Sequence, residues 1–299
     1  MIRFLLPLVL SLPGCMSMDP FTFNPSQVDA YSFPDAVIPG ELVQQVTFPG
    51  ADGQELWGAW ALQQQDGRVH PDAPGFAIEE VPYLVFFHGN TGHLAEGDNW
   101  SRVETLWEAG FNVFTFDYSG YGRSEGSPTY TVVQDDARAA VDHVEAWMAE
   151  DRNPAWTWER VPLLGLSLGG GVAVHIADER PPLTLITEDT FASYEALLED
   201  ATGGVGIPAG WLFEEPFDTE KEIRAVEVPV LVMHGEDDSF VPVESGERLY
   251  AAANDPKEKW IVPGSDHADI AETDPDGYVD RIVSQIVDAR EWWADEGAN

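Results

Sequence analysis

The stretch Val161-Pro-Leu-Leu-Gly165-Leu-Ser167-Leu-Gly169-Gly-Gly171 constrains this chain more than any other: a short apolar run breaks into Gly-x-Ser-x-Gly and continues into small residues. It reads as a strand that reverses sharply into a helix, with a serine at the apex. Residues two before and two after the apex must lack bulk for strand and helix to cross so closely, and Gly165 and Gly169 meet that need. The Ser167 hydroxyl is then expected to stand above the carboxyl edge of a sheet. A Gly/Ser connection between any strand and any helix carries the same five letters, so the motif needs support from the rest of the chain.

A serine hydroxyl is a poor nucleophile at neutral pH unless an imidazole takes its proton and a carboxylate holds that imidazole in the right tautomer. Both types follow downstream. Val228-Pro-Val-Leu-Val-Met-His234-Gly-Glu-Asp-Asp238-Ser-Phe-Val-Pro242 is a buried-type strand ending in an acidic loop, and Lys259-Trp-Ile-Val-Pro-Gly-Ser-Asp266-His267 repeats that design one unit later. Ser167, Asp238 and His267 are the candidate triad, in the chain order nucleophile, acid, base. Glu188 and Asp189, after the run Leu183-Thr-Leu-Ile-Thr187, are reserve candidates for the acid, and Asp266 reads as a loop or capping residue. An oxyanion hole needs backbone N–H groups aimed at the developing charge. The strand Val81-Pro-Tyr-Leu-Val-Phe-Phe87 runs into His88-Gly-Asn90, so by position the N–H groups of Asn90 and Leu168 are the candidate pair. His88 and His93 read as structural loop residues, and Asp117 as a tie for the Gly-rich loop that follows it.

These segments resemble the α/β-hydrolase superfamily, most closely its bud-emergence-type and serine-aminopeptidase-like serine hydrolases. The resemblance is carried by His88-Gly-Asn90-Thr-Gly92, Phe116-Asp117-Tyr-Ser-Gly120-Tyr-Gly122-Arg-Ser124-Glu-Gly126, Gly165-Leu-Ser167-Leu-Gly-Gly170, His234-Gly-Glu-Asp-Asp238-Ser-Phe-Val-Pro242 and Gly264-Ser-Asp-His267. It departs at Leu166, where many relatives carry a polar residue. It favours Asp238 over Asp237 as the acid. It implies hydrolysis of carboxylic esters or thioesters through an acyl-enzyme, with no cofactor. A serine peptidase or aminopeptidase using the same triad is the alternative, as is a non-catalytic surface lipoprotein that keeps the fold as a binding module.

The remaining pattern fits that frame. Residues 41–48 and 55–62 alternate as antiparallel strands. Continuous apolar runs near 81–87, 111–116, 161–166, 183–187, 228–233 and 259–262 read as parallel strands buried on both faces. Residues 131–150 and 278–293 carry apolar residues at helix spacing. Alternating strand and helix gives an α/β fold, an eight-stranded, mostly parallel sheet with helices on both faces, within a domain at 41–299. The insertion before the acid-bearing strand is too rich in Gly and Pro for a large lid, so only a short cap is expected. Its Trp211, Phe213 and Phe217 either line an apolar substrate groove or pack the loop onto the sheet edge.

The first residues add a second message. Met1-Ile-Arg3, the apolar run at 4–12 and Leu12-Pro-Gly14-Cys15 have the layout of a lipoprotein-type signal segment at 1–15, with Cys15, the single cysteine, as the lipidated residue. An ordinary secretory leader fits the same pattern, and a start at Met18 would make the protein cytoplasmic. Residues 16–40, with their prolines, read as a tether. The expected localisation is therefore export, with a lipid anchor on the membrane. The chain's 53 acidic against 15 basic residues give a net charge of −38, which excludes nucleic acid as a plausible partner. The acids are scattered rather than set at the spacing of a calcium loop, so no metal site is expected, and the surface suits a saline environment. A small-molecule acyl ester, thioester or peptide is the expected substrate.

Overall fold

The structure is a computed structural model that describes residues 23–65, 68–69, 82–150, 157–197 and 217–296. Its centre is one eight-stranded sheet. The strands are β1 (Val43–Pro49), β2 (Glu55–Ala61), β3 (Tyr83–Phe87), β4 (Asn112–Phe116), β5 (Leu163–Leu166), β6 (Leu185–Glu188), β7 (Val230–Gly235) and β8 (Lys257–Val262), in the spatial order β8-β7-β6-β5-β3-β4-β2-β1. The six from β3 to β8 are mutually parallel, and β2 runs antiparallel to both β1 and β4. This is the α/β arrangement expected from the strand and helix alternation.

The inner parallel strands β3 to β7 are buried along their whole length because both faces are covered. On β3, Tyr83, Val85 and Phe87 enter one core, while Leu84 and Phe86 enter the other. The first core is closed by α2 (Tyr130–Glu150) and α3 (Leu168–Glu179), with Leu249 from α4 (Glu244–Ala252). The second is closed by α1 (Gly97–Glu108) and α5 (Pro275–Glu296). Each fully buried Leu, Val or Phe in these layers contributes roughly 1.5–3 kcal/mol by leaving water. Strand β8 departs from the apolar-run pattern: it begins two residues early, at the charged Lys257-Glu258, because it is an edge strand partly facing solvent.

The tether expected at 16–40 needs correction where the structure describes it. Phe23 and Ile38 are buried, and Asn24–Pro25 pair in parallel with Thr91–Gly92. The Val28 N–H donates to the Gly122 carbonyl, and the Gly122 N–H donates to Ser26. The Tyr31 hydroxyl donates to Asp117. Backbone ladders and two buried side chains thus seat residues 23–38 on the domain, whereas the prolines had suggested a free linker. The signal segment with Cys15, and Trp211 and Phe213 of the insertion, lie outside the described residues. Phe217 is described and buried: its ring packs edge-on against Tyr130, Phe191 and Tyr194, the packing role left open for it.

Candidate active site

The chain reverses between β5 and α3 at Ser167, which has φ 54° and ψ −113°. An L-residue held there costs on the order of 1–3 kcal/mol and persists only where its surroundings fix it. Here the Ser167 N–H donates to the Glu188 carbonyl at 2.8 Å, and its own carbonyl accepts from Gly170 at 3.1 Å. A Cβ at Gly169 would collide with the Phe87 and His88 carbonyls, and one at Gly165 with the Gly169 carbonyl. The same close approach brings the end of β3 against the first turn of α3. A third small position, Gly170, faces Thr190, whose hydroxyl a Cβ would meet.

Above this turn the three expected residues converge. The Ser167 hydroxyl lies 3.1 Å from His267 Nε2, and His267 Nδ1 lies 2.8 Å from Asp238 Oδ2. With Nδ1–H donating to the carboxylate, Nε2 is left as the acceptor facing the serine. Asp238 is fixed in turn: its Oδ1 accepts from the Phe240 and Val241 N–H groups at 2.8 and 2.7 Å. Asp237 is exposed, and Asp266 caps the loop through the N–H groups of Ser239 and His267.

Burial would raise the Asp238 carboxyl, but His234 close beside it, the hydrogen bond and charge of His267 and the Val241 N–H outweigh it and hold Asp238 well below the carboxylate range. Burial would likewise lower His267, yet the hydrogen bond and charge of Asp238, with the charge of Asp189, raise it above its ordinary 6.5. His234 lies beneath: its Nε2 donates to the Val241 carbonyl at 2.8 Å and is 3.4 Å from Asp238 Oδ2. Asp189 is a second buried carboxylate here, pushed up to about 6 by burial and by the charges of Glu188 and Asp238. The ligand-type atoms of Asp189, Asp238 and His267 lie within 4.8 Å of one another. Both Asp189 oxygens accept backbone N–H groups, and Asp238 is committed to the imidazole, so the grouping is already satisfied by hydrogen bonds.

Leu168 opens α3, so its N–H belongs to the first turn, whose donors have no partner within the helix. Asn90 is held from behind: its carbonyl and side-chain oxygens both receive the Tyr121 hydroxyl, at 2.9 Å each, and the Asn24 N–H. His88 is fully buried with Nδ1 on the Gly89 carbonyl at 2.7 Å, and His93 Nδ1 accepts from the Ala95 N–H. Both are loop ties, as expected. Asp117 accepts from the Leu94 N–H and the Tyr31 hydroxyl, while its carbonyl accepts from Ser124. The sequence did not point to Phe240, a large aromatic left 53 % exposed with its ring centroid 5.1 Å from that of His267. Nor did it point to Arg102, which lies fully buried behind the His267 loop. The signal for Arg102 was its place between Trp100, Val103 and Leu106 on the apolar face of α1.

Fold and site together define an α/β hydrolase, and comparison with known proteins agrees. Residues 80–187 match the serine aminopeptidase family S33. The chain is 33% identical over 258 residues to the uncharacterized protein YfhR of Salmonella typhimurium, covering 81% of each. With YfhR of Escherichia coli K12 it shares 30% over 270 residues, 88% of each. It is also 29% identical over 188 residues to the lysophosphatidylserine lipase ABHD12 of Xenopus tropicalis, covering 58% of this chain and 47% of that one. Among solved structures, the Pyrococcus furiosus esterase Pf2001 superposes with a TM-score of 0.66 at 19% identity, over 89% of this chain and 96% of that one. The chain belongs to the α/β-hydrolase superfamily, and a hydrolase is what its relatives support.

Proposed function

We propose that this protein is a serine hydrolase of carboxylic esters or thioesters, working through an acyl-enzyme on Ser167. The observation that carries the reading is His267, hydrogen-bonded at once to Ser167 Oγ and Asp238 Oδ2. Ser167 Oγ attacks the acyl carbonyl carbon as its proton passes to His267 Nε2. Asp238 stabilises the imidazolium, and the N–H groups of Leu168 and Asn90 receive the oxyanion. The proton then moves from Nε2 to the leaving oxygen or sulfur as that bond breaks. Water, deprotonated by the same imidazole, releases the acid and regenerates Ser167. Phe240, exposed and with its ring centroid 5.1 Å from that of His267, offers an apolar surface beside the base for the leaving group.

The S33 match supports amide cleavage as the second reading. A panel of graded acyl esters, thioesters and aminoacyl amides separates the two: ester or thioester turnover lost in Ser167→Ala supports the proposal, and turnover confined to the amides overturns it in favour of the peptidase. Absence of turnover and of fluorophosphonate labelling would favour the binding module.

For localisation we propose export with a lipid on Cys15, supported by the layout of residues 1–15 alone. Eight residue steps separate Cys15 from the seated Phe23. At about 3.4 Å per step the domain would be held within ~27 Å of the bilayer surface. Acyl mass on Cys15 and partition into detergent, both lost in Cys15→Ser, are the expected results. Recovery of the protein wholly in the aqueous phase without acyl mass overturns the anchor.

A further inference from the structure

His267 lies in a loop, and the residue after it is in an unfavourable backbone conformation. Ala268 has φ +60°, where an L-residue pays roughly 1–2 kcal/mol relative to the right-handed regions. Its two peptide groups are gripped from different elements, one from the residue after β6 and the other from α1. The Ala268 N–H donates to Asp189 Oδ2 at 2.8 Å, and the Ala268 carbonyl accepts from Arg102 Nη2 at 2.6 Å. The two grips are joined through consecutive residues, because Arg102 is held by Glu188, which accepts from Nε at 3.0 Å and from Nη2 at 2.9 Å.

This assembly has no solvent-facing purpose at its centre: the side chains of Arg102 and Glu188 are fully buried. Removing two charges from water costs several kcal/mol per ion unless every donor and acceptor is matched, and here they are. Tyr278 donates to Glu188 Oε2 at 2.8 Å, and Arg102 Nη1 reaches Glu272 at 3.0 Å. Asp189 ties in the acid's strand as well, since its Oδ1 accepts the Gly235 N–H at 2.8 Å, three residues before Asp238. The Glu188 carbonyl holds the Ser167 N–H. Residues 188 and 189 therefore touch the backbone beside the nucleophile, the acid and the base.

We propose that Asp189 and Arg102 are positioning residues that clamp Ala268 in its left-handed conformation and thereby set His267 in register with Ser167. This inference rests on the reading of Ser167 and His267 given above. It assigns Asp189 a task other than that of reserve triad acid. The clamp acts through the backbone of residue 268, so its loss displaces the imidazole; the charge of Asp189 also raises His267, so rates are compared on the alkaline plateau, where the imidazole is neutral with or without that charge.

The test is Asp189→Asn, a substitution that tolerates the φ of +48° at this position but leaves one oxygen to serve two N–H donors. The readouts are the second-order rate of Ser167 labelling by a fluorophosphonate and the kcat and KM for p-nitrophenyl butyrate, on protein shown folded by near-UV circular dichroism. A displacement of the order of 1 Å at a reacting group costs about 10²-fold, so labelling and kcat should fall together by that factor while KM changes little. Relieving the strain with Ala268→Gly in the Asp189→Asn background should recover about 5–30-fold, the equivalent of the left-handed penalty. Labelling of folded Asp189→Asn within about threefold of wild type, or no recovery in the double variant, overturns the clamp. Should Asp189→Asn fail to fold, Ala268→Val keeps the clamp but worsens the strain: it should lower kcat at least tenfold, and wild-type kcat would overturn the proposal. Failure of the wild-type protein to label at all would instead remove the serine-hydrolase reading beneath it.

Discussion

Replacing Asp238 with asparagine removes a charge and nearly nothing else, and the structure dictates which way the amide must face. Oδ1 of Asp238 accepts two backbone N–H groups, from Phe240 and Val241, at 2.8 and 2.7 Å. An amide nitrogen cannot accept either, so the asparagine oxygen must take that place and its NH2 must turn toward His267 Nδ1. Nδ1 is then forced to accept, the ring proton moves to Nε2, and the atom facing Ser167 at 3.1 Å can no longer take a proton. The wrong tautomer in an otherwise intact triad lowers kcat by about 10⁴-fold, or roughly 5.4 kcal/mol of transition-state stabilisation. Asp237→Asn, at an exposed neighbour, should stay near wild type. The assay is steady-state hydrolysis of p-nitrophenyl butyrate, with near-UV circular dichroism to confirm folding. A folded Asp238→Asn enzyme within about tenfold of wild type would refute the tautomer argument.

Other consequences follow from the same geometry. Because His267 is raised above its ordinary 6.5 and must be neutral to act, kcat/KM should fall as pH drops through a midpoint above 6.5. That midpoint should move down in Asp238→Asn, and a limb unchanged by the substitution would contradict the pairing. Gly169→Ala places a methyl group against the Phe87 and His88 carbonyls. It should cost about 1–3 kcal/mol and lower kcat by displacing Ser167, whereas wild-type melting and turnover would contradict the close crossing. Phe240→Ala should lower kcat/KM for esters of bulky apolar alcohols several-fold and leave methyl esters little changed, as a leaving-group series would reveal. With a net charge of −38, added salt should raise the melting temperature by screening self-repulsion, and a melting point highest at low salt would remove the saline reading.

Ser167 and Asp238 were legible because each follows a continuous apolar strand, and His267 because the short run Trp260-Ile-Val262 before it places it at the same edge, where parallel strands deliver their carboxyl ends. The glycines flanking Ser167 were equally legible, since only a residue without a side chain fits against the Phe87 carbonyl at Gly169 and against the Gly169 carbonyl at Gly165. The seated segment at 23–38 was not. Its hold on the domain is a backbone ladder to Thr91–Gly92 and Gly122, and a ladder leaves no mark on side-chain pattern, while its prolines suggested a linker. Arg102 was only partly legible: its place on the apolar face of α1 marks it as buried, but its partner Glu188 is 86 residues away in the chain, so the local context does not say what it pairs with. Phe217 belongs between these cases. An aromatic in a Gly- and Pro-rich insertion suits a groove or a core equally, and only its contacts with Tyr130, Phe191 and Tyr194 decide for the core.

The role of Ser167 as nucleophile is tested most directly by the mass of the peptide that carries it after reaction with a fluorophosphonate. One adduct per chain is expected, located on Ser167, absent from Ser167→Ala, and paralleled by complete loss of ester turnover in both the labelled protein and the folded variant. An unmodified Ser167 in folded protein, or ester hydrolysis that persists in Ser167→Ala, would contradict it.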